Sequence, residues 1–134
     1  MWTCPECNRN FKTTNQFHMC VKKDIGELFI DKPDDLVLTY DAILQATESW
    51  SPNTQGASVH SIIFTSQKAW LIIKPMKKEL DVKFYYHERI ESDLVKKISK
   101  MGKKYGHHLR LSNEWEVSQP VIELLRMGFD FSLK

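Results

Sequence analysis

Cys4, Cys7, His18 and Cys20 are the residues whose types and spacing most directly specify chemistry, in the pattern Cys-x2-Cys-x10-His-x-Cys. Thiolate and imidazole groups suit zinc, which takes four of them in a tetrahedron. The three cysteines of the chain all fall in this segment, and an odd number excludes a complete disulfide framework. Clustered thiols beside a histidine read as metal ligands kept reduced, which places the chain in the cytoplasm. Pro5 stiffens the first knuckle, and Phe11 and Phe17 supply apolar contacts to a unit whose folding free energy comes mostly from the metal. The single residue between His18 and Cys20 is shorter than the roughly three to five of a DNA-reading finger. Four protein ligands also leave no position open for substrate, so the expected ion is structural Zn2+ rather than catalytic.

A second set of candidates lies in the strand-like part of the chain. Lys74, Lys83, Tyr85, His108 and Arg110 fall on one parity of their strands, with His60 and Trp70 as further candidates. Cations interleaved with aromatics suit phosphate contact and base stacking. The same set suits a pocket for a small carboxylate or phosphate ligand, and a solvated sheet face is the third reading. The run Lys96, Lys97, Lys100, Lys103 and Lys104 adds positive charge, diluted by Glu88, Glu91 and Asp93. His107 and His108 are adjacent, and adjacent strand residues point to opposite sides, so one of them belongs in the core.

Signals for catalysis are few. There is no Gly-rich phosphate loop, no G-x-S-x-G turn and no H-E-x-x-H helix. Asp81-x-Lys83 is the nearest approach to the carboxylate and lysine of a metal-dependent nuclease. The chain therefore reads as a non-catalytic binding module for nucleic acid or a nucleic-acid-associated protein. A small anionic-ligand-binding domain and a metal-dependent nuclease-like enzyme are the alternatives.

The elements that must position these residues follow from periodicity. Pro33 with Asp34 and Asp35 opens a helix over residues 33–49, its apolar stripe made by Leu36, Tyr40, Ile43 and Leu44. Trp50 to Asn53 ends it, and a polar loop runs to Gly56. Residues 59–64 and 69–73 form a hairpin. Leu80, Val82, Phe84 and Tyr86 alternate with Asp81, Lys83, Tyr85 and His87 as a half-buried strand requires. Ile90, Leu94, Ile98 and Met101 recur at helical spacing, yet residues 101–105 also resemble a hairpin turn. Tyr105 to Leu111 is a strand. Asn113 and Glu116 have capping-box spacing, and with Pro120 they open a final helix carrying Val117, Val121, Leu124 and Leu125.

A formal charge of +2 over 134 residues does not itself imply nucleic acid; the placement of the lysines must carry that argument. No apolar run reaches the about 20 residues of a membrane span. The start Met1-Trp2-Thr3-Cys4 has neither the basic nor the apolar region of a signal peptide.

The segments Trp2-x-Cys4-Pro5-x-Cys7-x-Arg9-x-Phe11 and Asn15-Gln16-x-His18-x-Cys20 resemble a short finger at the N-terminus of small bacterial proteins. There it precedes an uncharacterised α+β domain of unknown function. Leu28-Phe29-Ile30-Asp31-Lys32-Pro33, Ile62-Ile63-Phe64 and Tyr105-x-His107-His108-x-Arg110-Leu111 are similar to that domain in order and spacing. The resemblance implies a zinc finger over residues 1–22 and an α+β domain over 23–134. It favours the hairpin for residues 94–111 and brings no established activity. The expected fold is an antiparallel sheet of about four to five strands flanked by an N-terminal and a C-terminal helix.

Overall fold

The structure, a computed structural model, describes residues 2–3, 10–11 and 25–134. Within it Trp2–Thr3 (β1) pairs antiparallel with Asn10–Phe11 (β2). The expected ligands Cys4, Cys7, His18 and Cys20 lie outside the described residues.

The main domain is α+β. A 3-10 turn, Ile25–Phe29, leads to helix α1, Asp34–Thr47. Six strands follow: β3 Thr54–Ala57, β4 Ile62–Thr65, β5 Ala69–Pro75, β6 Leu80–Tyr86, β7 Lys97–Met101 and β8 Lys104–Leu111. Helix α2, Gln119–Ser132, closes the chain. The strands form one antiparallel sheet in the order β3-β4-β5-β6-β8-β7. The α+β class and the flanking helices agree with expectation; the sheet has six strands rather than four to five. The extra strand is β3, read as loop because only Ala57 of Thr54-Gln55-Gly56-Ala57 is buried. Pairing with β4, not an apolar pattern, orders it.

Both helices pack on one face of the sheet. Leu36, Tyr40 and Ile43 of α1 and Val121, Leu125 and Phe129 of α2 join Ile62, Phe64, Leu71, Ile73, Val82, Phe84 and Leu109 in the core. Each of these large side chains contributes roughly 1.5–3 kcal/mol through burial. Gly128 lets α2 approach closely: a Cβ there would stand 3.0 Å from the Phe84 ring. Trp70 sits at the centre of an aromatic cluster, edge-on to Phe64 at 5.9 Å and to Phe129 at 5.3 Å. Asn53 ties this cluster to α1, donating to the Thr47 carbonyl at 3.1 Å and accepting from the Trp70 indole N–H at 3.2 Å.

Trp70 therefore does not lie on the open face, contrary to the sequence reading. The ladder shifts where Phe64 faces Leu71 and Thr65 faces Ala69. That bulge turns Trp70 and Leu71 both inward and breaks the alternation. His60 lies in the turn between β3 and β4, off the sheet, and His87 lies beyond the end of β6.

Residues 90–101 are not a helix. Gly102, with φ of 67°, makes the two-residue turn that pairs β7 with β8 in register Met101 to Lys104. The approach to β7 is held by the buried His107, whose Nε2 accepts from the Ile90 N–H at 3.0 Å. The capping box is also overturned. Residues 114–116 form only a 3-10 turn, and Glu116 accepts from the Ser112 backbone N–H and hydroxyl at 2.8 and 2.7 Å. The final helix starts after Ser118, with Pro120 in its first turn as expected.

Candidate functional site

The open face of the sheet is set by register. Ile63, Ile72, Lys83, His108 and Lys97 form one row across β4, β5, β6, β8 and β7. Lys74, Asp81 and Arg110 form the row on one side, and Tyr85, Gly106 and Ser99 the row on the other. All five expected site residues, Lys74, Lys83, Tyr85, His108 and Arg110, thus share this face. Lys74 is exposed; the environments of the other four divide them into two groups.

The first group is built on Asp81. His108 Nδ1 lies 3.0 Å from each carboxylate oxygen of Asp81, and their side chains are only 12% and 15% exposed. A carboxylate only accepts, so Nδ1 carries the proton, and in the neutral ring Nε2 is then an acceptor. Ser99 Oγ lies 3.4 Å from that Nε2 and is the donor when the ring is neutral. Arg110 Nε stands 2.8 Å from Asp81 Oδ1. Its N–H is not aimed at the oxygen, so this contact is electrostatic rather than a formed hydrogen bond. Arg110 also donates to Glu79 at 3.3 Å. His108 and Arg110 are thus paired with acids, and the Asp81-x-Lys83 carboxylate is turned toward His108 and Arg110. Among the described residues no group of three or more His, Cys, Asp or Glu is placed to hold a metal ion.

The second group is built on Tyr85, which is buried, with 8% of its surface exposed. Lys104 Nζ lies 4.0 Å from its ring centroid and Lys83 Nζ 5.4 Å, so two ammonium groups stand against one aromatic ring. Tyr85 is consequently closed to base stacking, a correction to its expected role. The Lys83 stem crosses β8 at Gly106, where a Cβ would stand 3.1 Å from Lys83 Cδ. Lys68, from the turn between β4 and β5, caps the Phe131 ring at 5.1 Å. Burial lowers the Lys104 pKa from its usual 10.5, and the charges of Lys68 and Lys83 lower it further. None of these three lysines has a carboxylate partner among the described residues.

The sequence reading missed Ser99 and Glu79 as members of this face and Lys68 as a charge near Lys104. Ser99 faces Gly106 only because β7 is a strand, and Lys68 is brought in by a turn. Neither position carries a local pattern that marks it.

A separate cavity of about 220 Å³ lies beyond the start of β7, lined by Leu94, Leu109, Leu111, Val121 and Trp115 with Arg110 at its polar side. Trp115 is 85% exposed at its lip. No helix among the described residues is long and apolar enough to cross a membrane.

No curated protein and no solved structure matches the chain. A family profile described as a domain of unknown function, DUF5655, matches residues 25–132, the stretch that holds the six-stranded sheet and both helices. The chain belongs to that family.

Proposed function

We propose that this protein is a binding module for a polyanion, with nucleic acid or a nucleic-acid-associated protein as its partner. One observation carries this reading: Lys83 and Lys104 stand over Tyr85 with no carboxylate partner among the described residues, and Lys68 is near enough that its charge, after burial, adds to the depression of the Lys104 pKa. Phosphate oxygens entering that cluster offset the repulsion among the ammonium groups and accept their hydrogen bonds. With Tyr85 covered and Arg110 and His108 engaged by acids, contact falls on the phosphate backbone rather than on bases. Such binding positions a nucleic acid without reading its sequence.

A small anionic ligand is the second reading, favoured by the two ammonium groups of Lys83 and Lys104 at the Tyr85 ring, with the charge of Lys68 nearby. In either case Cys4, Cys7, His18 and Cys20 hold a structural Zn2+ in a closed knuckle, and recognition falls to the sheet.

Binding of single- and double-stranded DNA and RNA measured by anisotropy across a salt series tests the proposal. Phosphate-dominated affinity falls linearly with the logarithm of salt. No binding at low salt removes the nucleic-acid reading; competition by inorganic phosphate with no oligonucleotide binding selects the small-ligand reading.

A further inference from the structure

The contacts on the open face contain an arrangement that anion binding does not use. Ser99, His108 and Asp81 come from three different strands, β7, β8 and β6, and meet in the order hydroxyl, imidazole, carboxylate. The carboxylate faces Nδ1 and the hydroxyl faces Nε2 of the same ring. This is the arrangement of an activated nucleophile, its base and the group that orients the base, which is recognised by geometry and not by chain order. We propose that Ser99, His108 and Asp81 form an acyl-transfer relay acting on a carboxylic ester that carries an anionic group.

The burial of the three groups fits their roles. His108 and Asp81 are mostly covered, whereas Ser99 is half-buried on the edge strand β7, where a substrate reaches it. Arg110 stands against Asp81 and is itself held by Glu79, so its positive charge favours the ionised carboxylate that faces His108. Gly106 lies between Ser99 and Tyr85 in register, and its missing Cβ leaves the space that the Lys83 stem occupies. Lys83 and Lys97 both face His108 from the neighbouring strands. They put positive charge on either side of the relay, which selects an anionic acyl donor. Developing negative charge on the carbonyl oxygen is stabilised most by such preplaced charge. The 3.4 Å between Ser99 Oγ and His108 Nε2 is longer than the about 2.6–3.2 Å of a working pair, and such contacts tighten when substrate binds.

The step balances without an outside reagent other than water. Ser99 Oγ attacks the ester carbon as its proton passes to His108 Nε2. The C–O bond to the leaving group breaks, and that oxygen takes the proton from Nε2. Water then attacks the acyl-serine, giving a proton to Nε2, and Ser99 recovers it as the acid leaves. Asp81 is a positioning residue: it keeps the proton of the resting ring on Nδ1. The relay shares only Lys83 with the polyanion cluster and does not rest on the nucleic-acid reading, since Ser99, His108 and Asp81 take no part in that cluster.

The full-length protein treated with a fluorophosphonate probe tests the relay, with the modified residue located by peptide mass spectrometry. The expected result is labelling at Ser99 that is abolished in Ser99→Ala and falls by about 100-fold or more in His108→Gln. A heat-unfolded sample is expected to remain unlabelled. The Asp81→Asn variant is read by 15N NMR, where His108 is expected to lose its Nδ1-protonated tautomer together with the labelling. Thermal unfolding of each variant shows whether a loss is one of folding. Labelling elsewhere, equal labelling in the folded His108→Gln protein, or none in the folded wild type overturns the proposal.

Discussion

His108 and Asp81 meet on a diagonal of the β6–β8 ladder, with Nδ1 3.0 Å from both oxygens of the carboxylate. The direct register partner of Asp81 is Arg110, so one carboxylate serves two cationic or proton-donating neighbours. This neutralises one end of the open face. At the other end Lys83 and Lys104 stand over Tyr85 with no carboxylate partner among the described residues. Asp81→Ala leaves the mostly covered His108 without its acceptor and Arg110 with Glu79 as its remaining acid. The expected loss is about 1–3 kcal/mol of unfolding free energy, read from denaturant midpoints at constant slope. An unchanged midpoint contradicts the network.

His107 makes the fold sensitive to acid. Burial holds its pKa below the usual 6.5, with Arg89 and His108 adding to the depression and the bond to the Tyr105 carbonyl opposing it. Its Nε2 must stay unprotonated to accept from Ile90. A group whose folded pKa is depressed contributes stability that is present above its unfolded pKa and lost as pH falls below it. Stability is therefore expected to drop as pH falls from 6.5 toward the lowered folded value. In His107→Phe this acid limb is expected to flatten, at a cost of about 1–3 kcal/mol for the unpaired Ile90 N–H. Urea titrations of both proteins over that pH range check it.

Lys104 and Gly106 test the lysine cluster from two directions. With its pKa depressed, Lys104 carries its full cost at neutral pH and loses it as pH rises toward 10.5. Lys104→Met is expected to remove that alkaline rise in stability and to weaken protection by added phosphate. Tyr40, pushed up to about 12 by burial and by Asp41, gives an opposite trend above pH 10 in both proteins, so their difference isolates Lys104. Gly106→Ala displaces a flexible lysine stem rather than backbone. It is expected to leave the thermal midpoint nearly unchanged while weakening phosphate binding. Unchanged phosphate binding in both variants contradicts the cluster as an anion site.

Cys4, Cys7, His18 and Cys20 predict one zinc per chain by elemental analysis. Cys7→Ser or Cys20→Ser is expected to reduce that content sharply, and a chelator to release it. Zinc well below one equivalent in the wild type contradicts the finger.

Much of the fold was legible where burial imposes a period. Leu80, Val82 and Phe84 alternate with Asp81, Lys83 and Tyr85 because one face meets helices and the other does not, and α1 shows its stripe for the same reason. Trp70 was opaque because a bulge makes two consecutive residues face inward. β3 lacked a pattern because a short edge strand buries little. Ile90, Leu94 and Ile98 imitate a helix at their spacing, and what defeats it is tertiary: His107, from another strand, holds the Ile90 backbone. Strand parity placed Lys83, Tyr85, His108 and Arg110 on one face. It could not show that Tyr85 is roofed by lysines or that Asp81 claims both His108 and Arg110, since both depend on register between strands.

The most direct test of polyanion binding is the salt dependence of oligonucleotide affinity in wild type and in the Lys83→Gln/Lys104→Gln variant. The account predicts weaker binding on every sequence tried, with the magnitude of the salt slope reduced by about one for each lysine removed. Equal affinity and equal slope in the two proteins would contradict it.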